Sequence, residues 1–467
     1  MEELVQRLRQ RYLQLMEHVV AHLELQVSYQ EFEERLRQEL DGFARDVLEA
    51  VVEAVDERLR EEKEARPGWV VARRGDEKQV LSPFGMLSYR RTYFRHRASK
   101  RYAYLADAAI GVTPHQRVED GVKAQLVEVA VEQSYRKSGQ WRPEKAWHVS
   151  AQTVMQALRE TKIPPGGPSM PAAKRRVRYL YIEADEDHVP NQRGAHWQPR
   201  LVYVHEGRRR RGRRRMELIR PHYFGGLYEG NTQRLWEAVW RYLDGHYELE
   251  DVEAIFVSGD GASWIRRGCE YIPKSVFVLD RYHVQQLLTD ALGAGSPYRD
   301  AVWKALTSSN AGEVRRLLQQ AYQEAGSERR REAIKRAEGY LRRNWDGIRA
   351  WKRYEGIWCG CSAEGHVSHI YSARMSTRPM AWGRDGVKKM AGLRVLQANG
   401  GSARAAYLQR KSHRPLQVSS KWLQRVKADL VPGTLLPGET LGNLPALRGA
   451  RSSLTRALRG LAQLPAV

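Results

Sequence analysis

From Glu2 to about Glu64, apolar residues recur three and four apart, at Leu4, Leu8, Tyr12 and Leu15 and again at Phe43, Val47, Val51 and Val55, with charged residues between them. That period predicts two or more amphipathic helices in an N-terminal region over 1–66. Pro67-Gly68 breaks it. Short alternating segments around Trp69-Val70-Val71 and Met86-Leu87-Ser88-Tyr89, with a turn at Phe84-Gly85, then predict a small β-element over 67–112. Helical spacing returns over 113–162, where Val122, Leu126, Val129 and Val131 form one face, a Gly-containing turn follows Ser134-Tyr135-Arg136-Lys137, and Ser150 is placed to cap the run 151–159. This segment reads as a helix-turn-helix that offers Gln152, Thr153, Gln156 and Arg159 to a DNA groove, although any three-helix packing unit shares the pattern. The Pro- and Gly-dense stretch 163–173 cannot continue a helix and is read as a linker.

Beyond the linker, three strand-like runs at 177–184, 199–205 and 216–224 predict a meander. A helix over 232–243 follows, with Leu235, Trp236, Val239 and Trp240 on its apolar face. Two apolar runs, 254–258 and 275–279, then suit strands buried on both faces of a sheet. The order over 174–289 is thus β-β-β-α-β-α-β-α. From 290 to 358 the chain is helical and charged, with Leu306 and Leu317 on apolar faces, and 359–400 returns to the core with a last helix before a basic tail, 401–467. The predicted fold class is α+β and multidomain: a helical N-terminal DNA-binding region, then an α/β catalytic core with an all-helical insertion.

Charge narrows the class of partner. Across 467 residues, 78 Lys and Arg face 55 Asp and Glu, a net charge of +23 that favours a polyanion, nucleic acid foremost. The segment 207–215 concentrates this charge in Arg208, Arg209, Arg210, Arg211, Arg213, Arg214 and Arg215. Lying between two predicted strands, it reads as a hairpin loop that grips phosphates without regard to sequence, with a solvated charge run as the plain alternative. Three cysteines are too few for a disulfide framework. With no secretory pattern at the N-terminus and no apolar run long enough for a bilayer, a cytoplasmic, nucleoid-associated protein is expected.

Acidic residues at strand ends are the candidate chemistry. Glu183, Asp185, Glu186 and Asp187 crowd the end of an otherwise apolar run, where carboxylates repel one another and need a metal or basic partner. Asp260 stands between Gly259 and Gly261, which admit close approach. Glu364 follows a plausible helix cap at Ser362 and starts a helix carrying His366 and His369. Hard carboxylate oxygens suit Mg²⁺ or Mn²⁺, and two such ions can stabilise both the attacking and the leaving oxygen of a displacement at phosphorus. Cys359 and Cys361 with the two histidines do not have the spacing of a zinc finger.

Four ordered motifs carry a resemblance: Tyr-Ile-Glu-Ala-Asp-Glu-Asp-His-Val at 181–189, Val-Ser-Gly-Asp-Gly-Ala-Ser-Trp-Ile at 257–265, Phe-Val-Leu-Asp-Arg-Tyr-His-Val at 277–284 and Ser-Ala-Glu-Gly-His-Val-Ser-His at 362–369. Together they resemble the Lre-type insertion-sequence transposases of bacteria, which look like relatives of Mutator-type Asp-Asp-Glu transposases with a ribonuclease H-like core. The resemblance implies Asp185, Asp260 and Glu364 as catalytic metal ligands for two ions, with Asp187 and Asp280 as alternates. Asp280-Arg281-Tyr282-His283 occupies the place where Mutator-like enzymes often carry Cys-x-x-His, which makes His283 a candidate auxiliary residue. DNA strand cleavage and transfer at element ends, by a homodimer or larger assembly holding terminal repeats and target, is the expected function. A structure-specific nuclease and a DNA-binding protein without catalysis are the alternatives.

Overall fold

The computed structural model describes residues 2–24, 28–140, 148–164, 171–213, 215–378, 380–409, 416–421 and 423–424. Positions 165–170 of the expected linker, Arg214 and most of the basic tail lie outside them. The described residues fall into two compact units, the first within Met1–Gln125, Arg142–His148 and Lys411–Val467, the second within Leu126–Trp141 and Val149–Arg410. No helix among the described residues is long and apolar enough to cross a membrane.

In the first unit, helices α1 (Glu2–Glu24) and α2 (Tyr29–Glu61) precede a sheet of β1 (Trp69–Ser82), β2 (Gly85–His96) and β3 (Tyr102–Tyr104), with the short α3 (Leu105–Ala109) after it. Ser28 caps α2 by accepting the Glu31 N–H at 3.2 Å. The buried stripe of α2 is Val52, Val55 and Leu59, with Phe43, Val47 and Val51 only half-buried. It shares Val55 with the stripe that spacing picked out and otherwise differs from it, because Val52 meets Val80, Leu87 and Tyr89, while Val55 and Leu59 meet Phe94 and Ala106. Buried Asp56 ties helix to sheet by accepting the Thr92 N–H at 2.8 Å and its hydroxyl at 2.7 Å. The hairpin is longer than the sequence signalled, running from Trp69↔His96 to Ser82↔Gly85 around Pro83-Phe84. Residues 72–75 are exposed, so the middle of β1 has no apolar alternation to reveal it.

Helix α4 (Asp120–Glu132) crosses the division and buries Val122, Leu126 and Val131, leaving Val129 half-buried. In the second unit α5 (Tyr135–Gly139) and α6 (Ala151–Glu160) meet closely, since a side chain at Gly139 would stand 2.0 Å from the Val149 carbonyl oxygen. Ser150 caps α6 as expected, accepting the Thr153 N–H at 3.2 Å. Gln152, Gln156 and Arg159 are exposed and Thr153 is half-buried, while Val154, Ala157 and Leu158 face inward.

The central sheet has the order β10-β7-β4-β11-β12, from β4 (Tyr179–Glu186), β7 (Pro199–His205), β10 (His222–Leu227), β11 (Ala254–Gly259) and β12 (Ser275–Leu279). β4, β7 and β10 form the expected antiparallel meander, and β4, β11 and β12 run parallel. Between β4 and β7 lies a two-residue ribbon, β5 (Val189–Pro190) with β6 (His196–Trp197). The run 216–224, expected as one strand, is two. β9 (Arg215–Leu218) pairs with β8 (Arg208–Arg211) in a separate ribbon, because Arg220 has φ +48° and Pro221 has no N–H to donate, which turns the chain before β10.

Helix α7 (Gln233–His246) packs on one side, and α8 (Ser263–Arg266) with α9 (Gly268–Tyr271) link β11 to β12. After β12 the chain is helical through α10 (Arg281–Leu292), α11 (Pro297–Thr307), α12 (Ala311–Gln323), α13 (Glu328–Arg343) and α14 (Trp345–Arg353), as the sequence predicted. These helices do not form a core of their own: Ile334, Leu341, Ile348 and Trp351 belong to the same apolar cluster as Ile182, Val204, Trp236 and Val257. Helices α15 (Ala363–Val367), α16 (Ala373–Met375), α17 (Arg384–Ala398) and α18 (Ala403–Leu408) complete the unit, with a π-turn at Ser368–Ser372 and with α6 packed on α17 and α18.

α14 sits against β12 through Gly347, where a Cβ would stand 2.7 Å from a Phe277 ring carbon and 2.9 Å from the Leu279 nitrogen. Gly347→Ala is expected to destabilise the protein by about 1–3 kcal/mol through overpacking. Urea unfolding at equal slope measures this, and an unchanged midpoint contradicts it.

Candidate functional site

Three parallel strands end side by side, and each carries an acid at its end: Asp185 in the last two residues of β4, Asp260 just after β11 and Asp280 just after β12. The ends are locked in step, since the Asp280 N–H donates to the Gly259 carbonyl at 2.8 Å. The glycines flanking Asp260 serve protein packing. A side chain at Gly259 would press on the Ala184 carbonyl and Ile265, each at 2.7 Å, and at Gly261 (φ +89°) on the Asn344 side chain at 2.6 Å. The approach they permit is therefore by the chain itself. Tyr340 of α13 also donates its hydroxyl to the Asp260 carbonyl, so the helical segment buttresses this loop.

Among the described residues, ligand atoms of Asp185, His283 and Glu364 lie within 4.8 Å of one another. Asp185 is 5% exposed and its Oδ2 has no hydrogen-bond partner among the described residues, while its Oδ1 accepts the Glu186 N–H at 2.8 Å. Glu364 is exposed, on the first turn of α15. His283, in the first turn of α10, has Nδ1 2.9 Å from Asp280 Oδ2 and Nε2 3.9 Å from Glu364 Oε2. Asp260 Oδ1 accepts the Ala262 N–H at 2.8 Å; its charge reaches both Asp185 and His283, although it is not a member of the three-residue cluster. Asp187 is taken up elsewhere: it is buried and accepts the Ser376 hydroxyl with both oxygens at 3.0 Å. The structure thus separates the two aspartates that the sequence left open.

Burial is the main reason that the Asp185 carboxyl is pushed up to about 7, with the charges of Asp260 and Glu364 adding to it and His283 opposing it. Burial opposes charge on His283, yet the Asp280 hydrogen bond and the charges of Asp185, Asp280 and Asp260 prevail and push the ring up to about 9. An unpartnered buried carboxylate oxygen facing two further donors from separate elements fits a bound divalent cation. His366 plays a different part. It lies against Tyr203, with ring centroids 4.5 Å apart, its Nδ1 is 3.1 Å from the Tyr223 hydroxyl, and burial lowers it to about 4.

Sequence reasoning missed how Glu364 is held. Ser362, in the expected cap position of α15, makes no cap bond with its hydroxyl. Both its N–H, at 2.5 Å, and its hydroxyl, at 3.1 Å, go to Glu183 Oε2. Glu183, 1% exposed, also receives the Tyr203 hydroxyl at 2.5 Å, lies 2.9 Å from His205 Nε2, and pairs with Arg208 Nη2 at 2.8 Å. Burial pushes this carboxyl upward, but His205, Arg208 and Tyr203 outweigh it and hold it down at about 2. The only signal in the sequence was the density of acids in 183–187.

Arg208, expected to face DNA, therefore points inward. Arg209 and Arg211 are exposed on the β8–β9 ribbon and pair with Glu217 at 3.1 and 3.3 Å, and Arg210 donates to the Gly212 and Arg213 carbonyls at 3.2 and 2.7 Å. Arg213 is exposed. The expected loop is itself a two-stranded ribbon, turned at Gly212 with φ +77°.

Comparison with known proteins gives a family. The model described as "Uncharacterised protein family (UPF0236)" matches residues 23–412, and the chain belongs to this family. A UPF0236 protein of Caldanaerobacter subterraneus subsp. tengcongensis is 40% identical over 374 residues, 79% of this chain and 78% of the relative. A second from the same strain, TTE2489, is 40% identical over 79% of each chain. A UPF0236 protein from a vanSb 3′ region of Streptococcus gallolyticus is 26% identical over 71% of this chain and 75% of its own length.

Glu183 makes acid stability testable. Its carboxyl titrates lower in the folded protein, at about 2, than at its ordinary 4.5, so its contribution is complete above pH 4.5 and is lost as pH falls through 2. The stability gap between wild type and Glu183→Gln should narrow by roughly 3 kcal/mol from pH 5 to pH 2. Denaturant titrations at both pH values read this directly; a constant gap would rule out an ionised Glu183 at the centre of the network.

Proposed function

We propose that this member of the UPF0236 family is a DNA transposase, with the mixed sheet as a ribonuclease H-like core and Asp185, Asp260 and Glu364 as its catalytic acids. The observation that carries the reading is the cluster of Asp185, His283 and Glu364 ligand atoms, with Asp260 following the neighbouring parallel strand close enough for its charge to act on Asp185, and with a buried Asp185 oxygen left without a partner among the described residues. Ligands in open α/β sheets bind at the carboxyl ends of strands, which is where these residues lie. Names of relatives add support. One joins eleven designations from a single strain and another joins four, a multiplicity that a self-dispersing sequence leaves in a genome.

In this reading Asp185, Asp260 and Glu364 are the residues that would hold two divalent ions. Bound there, such ions supply Lewis-acid stabilisation to the attacking and leaving oxygens at phosphorus. Asp185 contributes a rigid, preformed ligand, because its strand and the Glu186 N–H fix it. Glu364, on an exposed first turn anchored through Ser362, closes the site from the solvent side. Arg209, Arg210, Arg211 and Arg213 hold phosphates along the ribbon, and the exposed polar face of α6 meets the element's terminal repeats. Two ends must be brought together, so a dimer or larger assembly acts on DNA.

Cleavage of DNA carrying the element's own ends, in Mg²⁺ or Mn²⁺ and at equal DNA occupancy, should fall at least ~10³-fold in Asp185→Asn and in Asp260→Asn, the loss of several kcal/mol of charge stabilisation. Undiminished cleavage in either variant would remove that residue from the catalytic set. Joining of the released 3′ ends to target DNA separates a transposase from a nuclease with the same core.

Replacing Arg209, Arg210 and Arg211 by Gln should weaken binding to all DNA sequences alike and flatten the dependence of log affinity on log salt by about 0.9 for each phosphate no longer neutralised. An unchanged slope would mean that the ribbon does not touch the backbone.

A further inference from the structure

Asp280 is 3% exposed and doubly fixed, its N–H on the Gly259 carbonyl at 2.8 Å and its Oδ1 accepting the Tyr282 N–H at 3.1 Å. Its other oxygen, Oδ2, faces His283 Nδ1 at 2.9 Å. With Nδ1 turned to the Asp280 carboxylate, the ring's other nitrogen, Nε2, faces the far side, where a metal ion binding it would displace any proton it carries. Nε2 lies 3.9 Å from Glu364 Oε2, a ring nitrogen of His283 falls in the same 4.8 Å cluster as ligand atoms of Asp185 and Glu364, and among the described residues Asp185 Oδ2 has no hydrogen-bond partner. A carboxylate orienting an imidazole whose second nitrogen turns toward further donors is the arrangement that surrounds metal-ligating histidines.

We propose that His283 Nε2 is itself a metal ligand, forming with Asp185 and Glu364 a carboxylate–imidazole set that favours a first-row transition ion over Mg²⁺. The proposal rests on the reading of this cluster as a metal centre and adds to it the identity of one ligand and the class of ion. Mg²⁺ takes oxygen donors in a strict octahedron and parts reluctantly with water, whereas imidazole binds transition ions more readily. Asp280 is then a positioning residue: it sets the ring's orientation without touching the ion.

Mn²⁺ is the probe, since it is paramagnetic and stands lowest in the transition series, so a preference for it over Mg²⁺ is a demanding test. The full-length chain is titrated with Mn²⁺ by electron paramagnetic resonance, alone and against Mg²⁺, and the bound ion is examined for coupling to a directly coordinated ¹⁴N. Wild type should show the nitrogen coupling. His283→Ala should lose it and bind Mn²⁺ at least ~10-fold more weakly, with a smaller change for Mg²⁺, and Asp280→Asn should fall between the two. Mn²⁺ bound to wild type without coordinated nitrogen would overturn the ligand assignment while leaving the metal centre standing. So would tighter binding by His283→Ala, which would make the ring a resident cation in competition with the metal. Mn²⁺ binding that is equally strong in wild type and Asp185→Asn would overturn the centre as well.

Discussion

Taking a carboxylate out of water costs several kcal/mol unless hydrogen bonds or opposite charge replace the lost solvent, and β4 buries two, Glu183 and Asp185, two positions apart on one face of the strand. They are answered in opposite ways. Around Glu183 the chain gathers two hydroxyls, a backbone N–H, a histidine and an arginine. Around Asp185, among the described residues, it leaves one oxygen bare and brings Asp260 and Glu364 near, whose repulsion is set against the attraction of the single His283 ring. Glu183 is thus the fixed point of the site, and Asp185 the place where the fold retains an unmet demand for positive charge.

The same network sets the position of Glu364. Ser362 is 179 residues from Glu183 in sequence, and its two donations to that carboxylate draw the start of α15 to the edge of the central strand. Arg208 joins in, because one of its nitrogens reaches both Glu183 and the Ser362 hydroxyl at 2.8 and 3.0 Å. The root of the arginine ribbon and the root of the glutamate helix therefore share one buried anion. On the other side, α13 and α14 hold the loops of Asp260 and Asp280, through Tyr340 and Asn344 and through the Trp351 indole, which donates to the Leu279 carbonyl at 2.7 Å. The long helical segment between the second aspartate and the glutamate is part of the frame that keeps these acids in register.

Charge excess alone would have assigned every arginine of 207–215 to the same task. Position on a ribbon divides the described ones, since Arg208 at its root reaches Glu183 and Ser362, while Arg209, Arg210, Arg211 and Arg213 emerge into solvent. Half-buried and exposed arginines are alike in a sequence and different in energetics, one neutralising a desolvated anion and the others making surface contacts that solvent screens.

The sequence by itself determined the order of elements. Apolar runs bounded by Gly, Pro and acids marked β4, β7, β11 and β12, the period of the helical stretches marked α2, α7 and the run from α10 to α14, and Ser150 marked the start of α6. These features are written in neighbouring residues, and local backbone preference with burial of one face suffices to read them. Only the tertiary structure gave Asp185 and Asp187 different surroundings, turned Arg208 inward, took Ser362 from capping to Glu183, withdrew His366 into an aromatic cluster and brought His283 to the acids. Each of those outcomes depends on which distant side chain comes to lie opposite, and for a buried polar group that partner, not its neighbours in the chain, fixes its charge and its role.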